Sequence, residues 1–186
     1  HTAYRRQRQM CIRDSSHSVA TKQRVPYNLQ TAISAERLEE IGDAFINVPE
    51  GFSVHPRVKP ILESRYRMTR EGKVDWAMAE LLSWGSLLQE GRDIRIAGED
   101  SCRGTFTQRH AIIVDRKNSN IYSPLRAIAQ THGGHFDIYN SSLSEFAGLG
   151  VEYGYSVAHT DALVCWEAHR QWCTNYCRRV RFLRGG

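Results

Sequence analysis

The chain has 186 residues, of which 41% are hydrophobic and 24% charged, with a formal net charge of +5, a pI near 9.1 and a mean hydropathy of −0.50. That balance excludes a disordered, fibrous or membrane-spanning chain: no apolar run reaches the roughly 18 residues a span needs. Nothing near the start has the basic, apolar, small-residue order of a signal peptide, so the expected compartment is the cytoplasm.

The charge is unevenly placed. Residues 1–30 carry six Lys/Arg against one acid, and residues 169–186 carry five Arg and no acid. The middle, 31–168, holds 14 basic and 19 acidic residues and is therefore net −5. A basic pI made entirely by the ends is a weak argument for a nucleic-acid partner.

In chain order, Ser34 is a good N-cap for a helix over residues 35–44, with Leu38 and Ile41 on one face and Glu36, Glu39 and Glu40 early in it. Pro49, Glu50 and Gly51 end that segment, and His55-Pro56 open a second helix to about Arg67. A third helix is predicted over 74–89, with Trp76, Ala79, Leu82, Leu87 and Leu88 recurring at helical spacing and Gly91 as its stop. The period then changes. Residues 94–97, 111–115, 136–139 and 162–166 are short apolar runs flanked by turn residues, as strands are. Between them lie a helix near 124–130 and a longer one over about 143–158. Strands alternating with helices predict an α/β fold, a mostly parallel sheet with helices on both faces.

Five cysteines without paired spacing argue against a disulfide framework. Cys173 and Cys177 have no second ligand pair after them, and the Gly133-Gly134 centre of His132-x-x-His135 reads as a turn before a strand, so no metal site is expected. Cys102 is most simply a loop residue and Cys165 a core residue.

Two segments carry chemistry. Residues 100–110, Asp-Ser-Cys-Arg-Gly-Thr-Phe-Thr-Gln-Arg-His, form a polar connection between predicted strands. Such loops hold sites in open α/β sheets, although a solvated connection has the same composition. Residues 141–150, Ser-Ser-Leu-Ser-Glu-Phe-Ala-Gly-Leu-Gly, leave a strand and enter a helix. There Glu145 occupies a first turn, which favours a carboxylate whether or not it does chemistry. Ala147, Gly148 and Gly150 point to close backbone packing.

The blocks GEDSCRGTFTQRHA (98–111), YSPLRAIAQ (122–130), IYNSSLSEFAGLGVEYGYS (138–156) and LVCWEA (163–168), preceded by VPEGFSVHPRVKPILESR (48–65), closely resemble the E1 component of 2-oxoglutarate dehydrogenase, multifunctional decarboxylase forms included. The similarity covers about residues 31–168. It implies a partial transketolase-like pyrimidine-binding domain, 73–168, preceded by a helical linker, 31–72. It further implies thiamine diphosphate as cofactor, 2-oxoglutarate as substrate, a lipoylated E2 succinyltransferase as partner and a homodimer with shared sites. Matched residue by residue, Glu145 becomes the acid at N1′ of the cofactor's aminopyrimidine. A proton shared there favours the imino tautomer that removes the thiazolium C2 proton. Leu143 and Phe146 would keep that contact dry and raise the carboxyl pKa. His110, beside Arg109, matches the Arg-His block near the reacting centre, where a loop histidine of purely structural role is the competing reading. Arg103 is open to either carboxylate binding or a surface role.

The sequence departs from that family in two respects. A Gly-Asp-Gly motif with a downstream Asn, which would hold magnesium and the diphosphate, is not found; Gly42-Asp43-Ala44 falls inside the first predicted helix. After Ala168 the match stops, and reading the codons one base later can spell Asn-Gly-Ala-Gln-Thr-Ile-Val-Asp-Glu across 171–179, so residues 169–186 are read as a frameshifted tail. Residues 1–30 are read as non-native or disordered, because Arg-Gln-Met-Cys-Ile-Arg-Asp-Ser (8–15) resembles translated adapter sequence. Two alternatives stand beside the enzyme-fragment reading: a basic nucleic-acid-binding module using the Arg-rich ends, and a non-catalytic pyrimidine-type domain.

Overall fold

A computed structural model describes residues 30–141 and 145–168. Apart from residues 30–32, these belong to one compact unit. The expectations for residues 1–29, Leu143 and the tail 169–186, with Cys11, Cys173 and Cys177, lie outside the described residues.

Three helices come first. Helix α1, Ala35–Ala44, follows Ser34 in extended backbone, but the Ser34 hydroxyl makes no cap bond. Glu36 does the electrostatic work of the first turn: its backbone N–H and then the Ser34 side chain hold its carboxyl below the usual range. Helix α2, Lys59–Glu71, carries Pro60 in its first turn and stops at Gly72, whose φ of 71° is the left-handed C-cap. It starts and ends four residues later than predicted. The reason is that His55 Nδ1 accepts from Arg57 N at 3.2 Å, closing residues 55–57 into a local turn instead of a helix start. Helix α3, Trp76–Gln89, begins where Asp75 accepts from Met78 N at 2.7 Å. Its core face is Met78, Leu81, Leu82, Trp84, Gly85 and Leu88, whereas Trp76 is 93% exposed and is no part of it.

The main sheet has three parallel strands in the order β4-β1-β5: β1 is Ile94–Gly98, β4 Phe136–Asn140 and β5 Leu163–Glu167. Between β1 and β4 lie a small antiparallel hairpin, β2 Ile113–Val114 with β3 Ile121–Tyr122, and helix α4, Pro124–His132. Helix α5, Glu145–Ala158, connects β4 to β5. The predicted parallel strand over 111–115 is therefore only the first arm of that hairpin. Asp115, 3% exposed, ends it by accepting from Lys117 N at 2.7 Å and Ser53 N at 3.2 Å, which turns the chain away from the sheet. Helix α4 starts at the predicted Pro124 and runs two residues past Gln130: Ser123 accepts from Arg126 N, and Gly133 caps the helix at φ 81°.

Register divides the sheet into two faces. Ile94, Ile96, Phe136, Ile138 and Cys165 project to one side and join α1 to α4 in a single apolar cluster that includes Ile41, Phe45, Leu62, Leu81, Leu88 and Leu125. Arg95, Asp137, Tyr139, Val164 and Trp166 project to the other. There Arg95 forms a two-pronged ion pair with Glu152 of α5 at 2.8 and 3.0 Å and lies over the rings of Tyr139 and Tyr155. The predicted parallel sheet with helices on both faces is thus present, with α3 and α4 on one side and α5 on the other. The linker helices α1 and α2 pack into the same core as the sheet.

Candidate functional site

All three strands are parallel, so their C-terminal ends, Gly98, Asn140 and Glu167, lie on one edge. The chain runs from β1 to β4 through α4 and from β4 over β1 to β5 through α5, which puts the two connections on opposite faces. In open α/β sheets the crevice beyond that edge is where ligands bind. The loop containing 100–110 follows β1 at this edge, and α5, which begins at Glu145, follows β4.

The first of these, the loop after β1, is held tightly. Its Cys102 N–H donates to Asn140 Oδ1 at 3.0 Å, joining it to the end of β4. Arg109 N and His110 N donate to Arg103 O at 2.9 and 3.0 Å, and Ala111 N donates to Cys102 O at 2.9 Å. Three of the four non-glycine residues with positive φ among the described residues lie here: Asp100 at 52°, Thr107 at 61° and His110 at 48°. Backbone held in that region costs free energy and collects at functional positions.

Arg109 anchors the loop from within. Only 3% exposed, it donates through Nε and Nη2 to both oxygens of Glu80 on α3 at 2.9 Å, and through Nη1 to Ser101 O at 2.7 Å and Glu167 Oε2 at 2.8 Å. Its Nη2 also pairs with Glu167 Oε1, and its guanidinium carbon lies 5.1 Å from the Trp84 ring centroid. Burial works against the charge, but the hydrogen bonds it donates to Glu167 and then to Glu80 win and raise the Arg109 pKa. Glu167 shows the reverse balance: burial pushes it up, while Arg109 and Ser101, whose Oγ donates to Oε2 at 2.6 Å, hold it below the usual carboxylate range.

His110 is 8% exposed and its Nε2 is buried without a hydrogen-bond partner. Burial, the charge of Arg65 and that of Arg103 together push its pKa down, so the ring favours the neutral form. Arg65, 3% exposed on α2, donates to Gln108 O at 2.6 Å, lies 5.2 Å from the Phe45 ring centroid and leaves Nη1 without a partner. Burial pushes its own pKa down to about 10.

Glu145 is the first residue of α5, directly beyond the end of β4, as the sequence predicts. Phe146 beside it is 84% exposed, so within this chain its ring shields nothing from water. The dry contact expected of Phe146 requires a further surface laid against it. Leu143 lies outside the described residues. Arg103 pairs with Asp100 at 2.7 Å with both side chains about half exposed, which is the surface reading. Cys102 and Cys165 are partly buried free thiols, and burial pushes both pKa values up. His132 and His135 pair with different carboxylates, Glu40 and Asp93. Among the described residues no group of three or more His, Cys, Asp and Glu could hold a metal ion, and no helix is long and apolar enough to cross a membrane.

Sequence reasoning missed Glu80 and Glu167. They stand 29 and 58 residues from Arg109, and no local pattern announces a pairing across such distances.

A family model described as the transketolase pyrimidine-binding domain matches residues 72–178. Over 160 residues the chain is 52% identical to the multifunctional 2-oxoglutarate metabolism enzymes of Mycobacterium sp. strains JLS and KMS, covering 83% of this chain and 13% of each relative. It is 50% identical over 157 residues to the 2-oxoglutarate dehydrogenase E1/E2 component of Corynebacterium glutamicum, with the same coverage. The chain therefore spans about 13% of the length of these curated relatives. No such likeness favours the nucleic-acid-binding alternative. With the family match running over more than half its residues, and with a parallel sheet whose C-terminal edge carries the matched loops, the chain belongs to the transketolase pyrimidine-binding domain family.

Proposed function

We propose that this chain supplies the aminopyrimidine-binding half of a thiamine diphosphate site, in an E1 component that decarboxylates 2-oxoglutarate and passes a succinyl group to a lipoylated E2 succinyltransferase. The observation that carries the reading is the placement of Glu145 at the start of α5, on the same sheet edge as the His110 loop and inside the family match.

The residues on that edge suit a flat heteroaromatic ring. His110 Nε2 is a buried nitrogen without a partner, and Phe146 offers an uncovered aromatic face. They do not suit the other end of the cofactor. The described residues hold no acidic or histidine cluster for magnesium, so magnesium and the diphosphate belong to a Gly-Asp-Gly-bearing segment that this sequence does not contain.

When bound, thiamine diphosphate supplies a carbon nucleophile and an electron sink for decarboxylation of a 2-oxo acid. The protein's part is proton placement. The Glu145 carboxyl would hold a proton against ring nitrogen N1′, and excluding water around it would strengthen that bond. Leu143 and Phe146 supply the apolar surround once a second surface closes on them. In the homodimer of the intact enzyme, that second surface belongs to the other subunit's diphosphate-binding segment. His110, neutral and with Nε2 unpartnered, would hydrogen-bond the substrate or the group formed from it.

The proposed partition is a linker over 31–72 and a pyrimidine domain from 73, with 1–30 foreign and 169–186 read in a shifted frame. The quoted blocks end the domain at 168, whereas the family match continues to 178. Resequencing the DNA across codons 165–186 checks the shifted frame: an unbroken frame matching the tail as written would remove it. The intact enzyme is placed in the cytoplasm. In the full-length enzyme carrying this segment, Glu145→Gln should lower thiamine-dependent decarboxylation of 2-oxoglutarate by at least about 100-fold, the scale of a lost proton-transfer group. Near-normal turnover would sink the assignment.

A further inference from the structure

We propose that Arg109 is a positioning residue, whose guanidinium clamps Glu80 of α3 to Glu167 of β5 and thereby holds the His110 imidazole at the edge of the sheet.

His110 sits at φ 48°, left-handed backbone that costs a non-glycine residue free energy and persists where its surroundings enforce it. The residue before it supplies that enforcement. Arg109 makes four ion-paired contacts to two carboxylates and one to the Ser101 carbonyl, all from a side chain 3% exposed. Glu80 belongs to the apolar side of the molecule and Glu167 to the last residue of the edge strand, so Arg109 spans the space between α3 and the sheet.

Planarity matters here. A guanidinium binds two carboxylates in fixed directions, whereas an ammonium at the same place is a point charge that leaves the main chain free to rock. On the far side of the same turn, Arg65 donates to Gln108 O at 2.6 Å. The backbone entering His110 is therefore held at consecutive residues by two buried arginines, one from α2 and one of its own. Nε2 has no partner, and the ring's hydrogen bond goes to the Thr107 backbone within the same loop. The ring is thus held by the loop that Arg109 and Gln108 anchor.

The clamp closes the site from another side as well. Gly98, at the end of β1, brings Glu167 and Ser101 so close that an added Cβ would lie 2.5 Å from Glu167 O and 2.8 Å from Ser101 Oγ. Glu167, Ser101 and Arg109 thus form one packed unit across the ends of β1 and β5, with His110 leaving from it.

Use of the Arg109 clamp in catalysis rests on the proposed role of His110, while the clamp's hold on His110 does not. Two readouts separate them. In the full 186-residue chain, the His110 ring resonance followed by NMR against pH should titrate below the ordinary histidine midpoint of about 6.5. In Arg109→Met and in the milder Glu167→Gln, that resonance should shift and its midpoint should rise toward the ordinary value. Glu167→Gln keeps the shape of the side chain and answers the question should the methionine variant fail to fold. An unchanged His110 signal in both variants overturns the proposal.

The second readout is kinetic, in the full-length enzyme carrying the segment. Arg109→Met should lower kcat by about 100-fold with little change in KM, the scale of a misplaced group, and Arg109→Lys should recover only part of it. In a His110→Ala background the same change should cost nothing more, because both act through one ring. A His110 resonance that moves while His110→Ala leaves turnover normal supports the clamp and overturns the proposed use of His110. Losses that multiply in the double variant show an effect of Arg109 independent of His110 and overturn the positioning role.

Discussion

The two faces of the parallel sheet are built on different principles. Toward α3 and α4 the contact is apolar and closed: Ile94, Ile96, Phe136 and Ile138 meet Leu81, Leu88, Leu125 and Ile128, all buried. Toward α5 the central contact is a charge pair, Arg95 with Glu152, flanked by Tyr139 and Tyr155. The outer surface of α5 carries Phe146, Val151, Tyr153 and Val157 in water. The first face supplies stability, because burial of apolar surface is the larger favourable contribution. The second supplies direction: an ion pair with two parallel hydrogen bonds fixes how α5, and hence Glu145, leaves the sheet.

Breaking the closed face should have the largest effect. Leu81→Ala removes a fully buried side chain of α3 and should cost about 2–5 kcal/mol in chemical denaturation, enough to leave a domain of ordinary stability marginal. Removing the acid on the other face should cost less. Glu152→Ala leaves the Arg95 guanidinium, 19% exposed, without its partner, and about 1–3 kcal/mol is expected after allowing for the water that reaches it. Phe146→Ser should change stability by less than about 0.5 kcal/mol, since the ring is 84% exposed in this chain. In the full-length enzyme the same substitution should weaken thiamine diphosphate binding. A stability loss as large as that of Leu81→Ala would mean that the two faces do not differ as described.

Acid sharpens the comparison at the edge where both faces meet. The His110 pKa is held below its ordinary value of 6.5, so below that pH the unfolded chain binds the proton more readily and stability falls as pH drops. The Glu167 pKa is held below its ordinary 4.5, so its contribution is complete above that pH and is lost as pH falls through the lower folded value. Melting temperature against pH should therefore decline in two stages. His110→Ala should remove the upper one and Glu167→Gln the lower.

Much of this was readable from residue order, and the failures share a cause. The bounds of α1 and the start of α4 followed from Ser34, Pro124 and the apolar spacing, because caps and prolines act locally. Three strands were recognised from runs such as Ile94–Ala97, with ends misjudged by a residue. The fourth run is a strand only over Ile113–Val114, in the small hairpin, because Asp115 turns it aside through a bond to Ser53, 62 residues away. Trp76 looked like core by spacing alone, but it stands one residue past the cap and projects into water. At the candidate site, the roles proposed for Glu145 and His110 rest on the matched blocks. The clamp on Arg109 was not, since it is assembled from three distant segments. Nor was the left-handed turn at His110, which neither glycine nor asparagine marks.

The central claim is that Glu145 places a proton on the cofactor's pyrimidine. The most direct measurement is the rate at which the thiazolium C2 proton of bound thiamine diphosphate exchanges with deuterium, followed by proton NMR in the full-length enzyme and its Glu145→Gln variant. The account predicts exchange at least about 100-fold slower in the variant, with the cofactor still bound. Equal exchange rates at equal occupancy would contradict it.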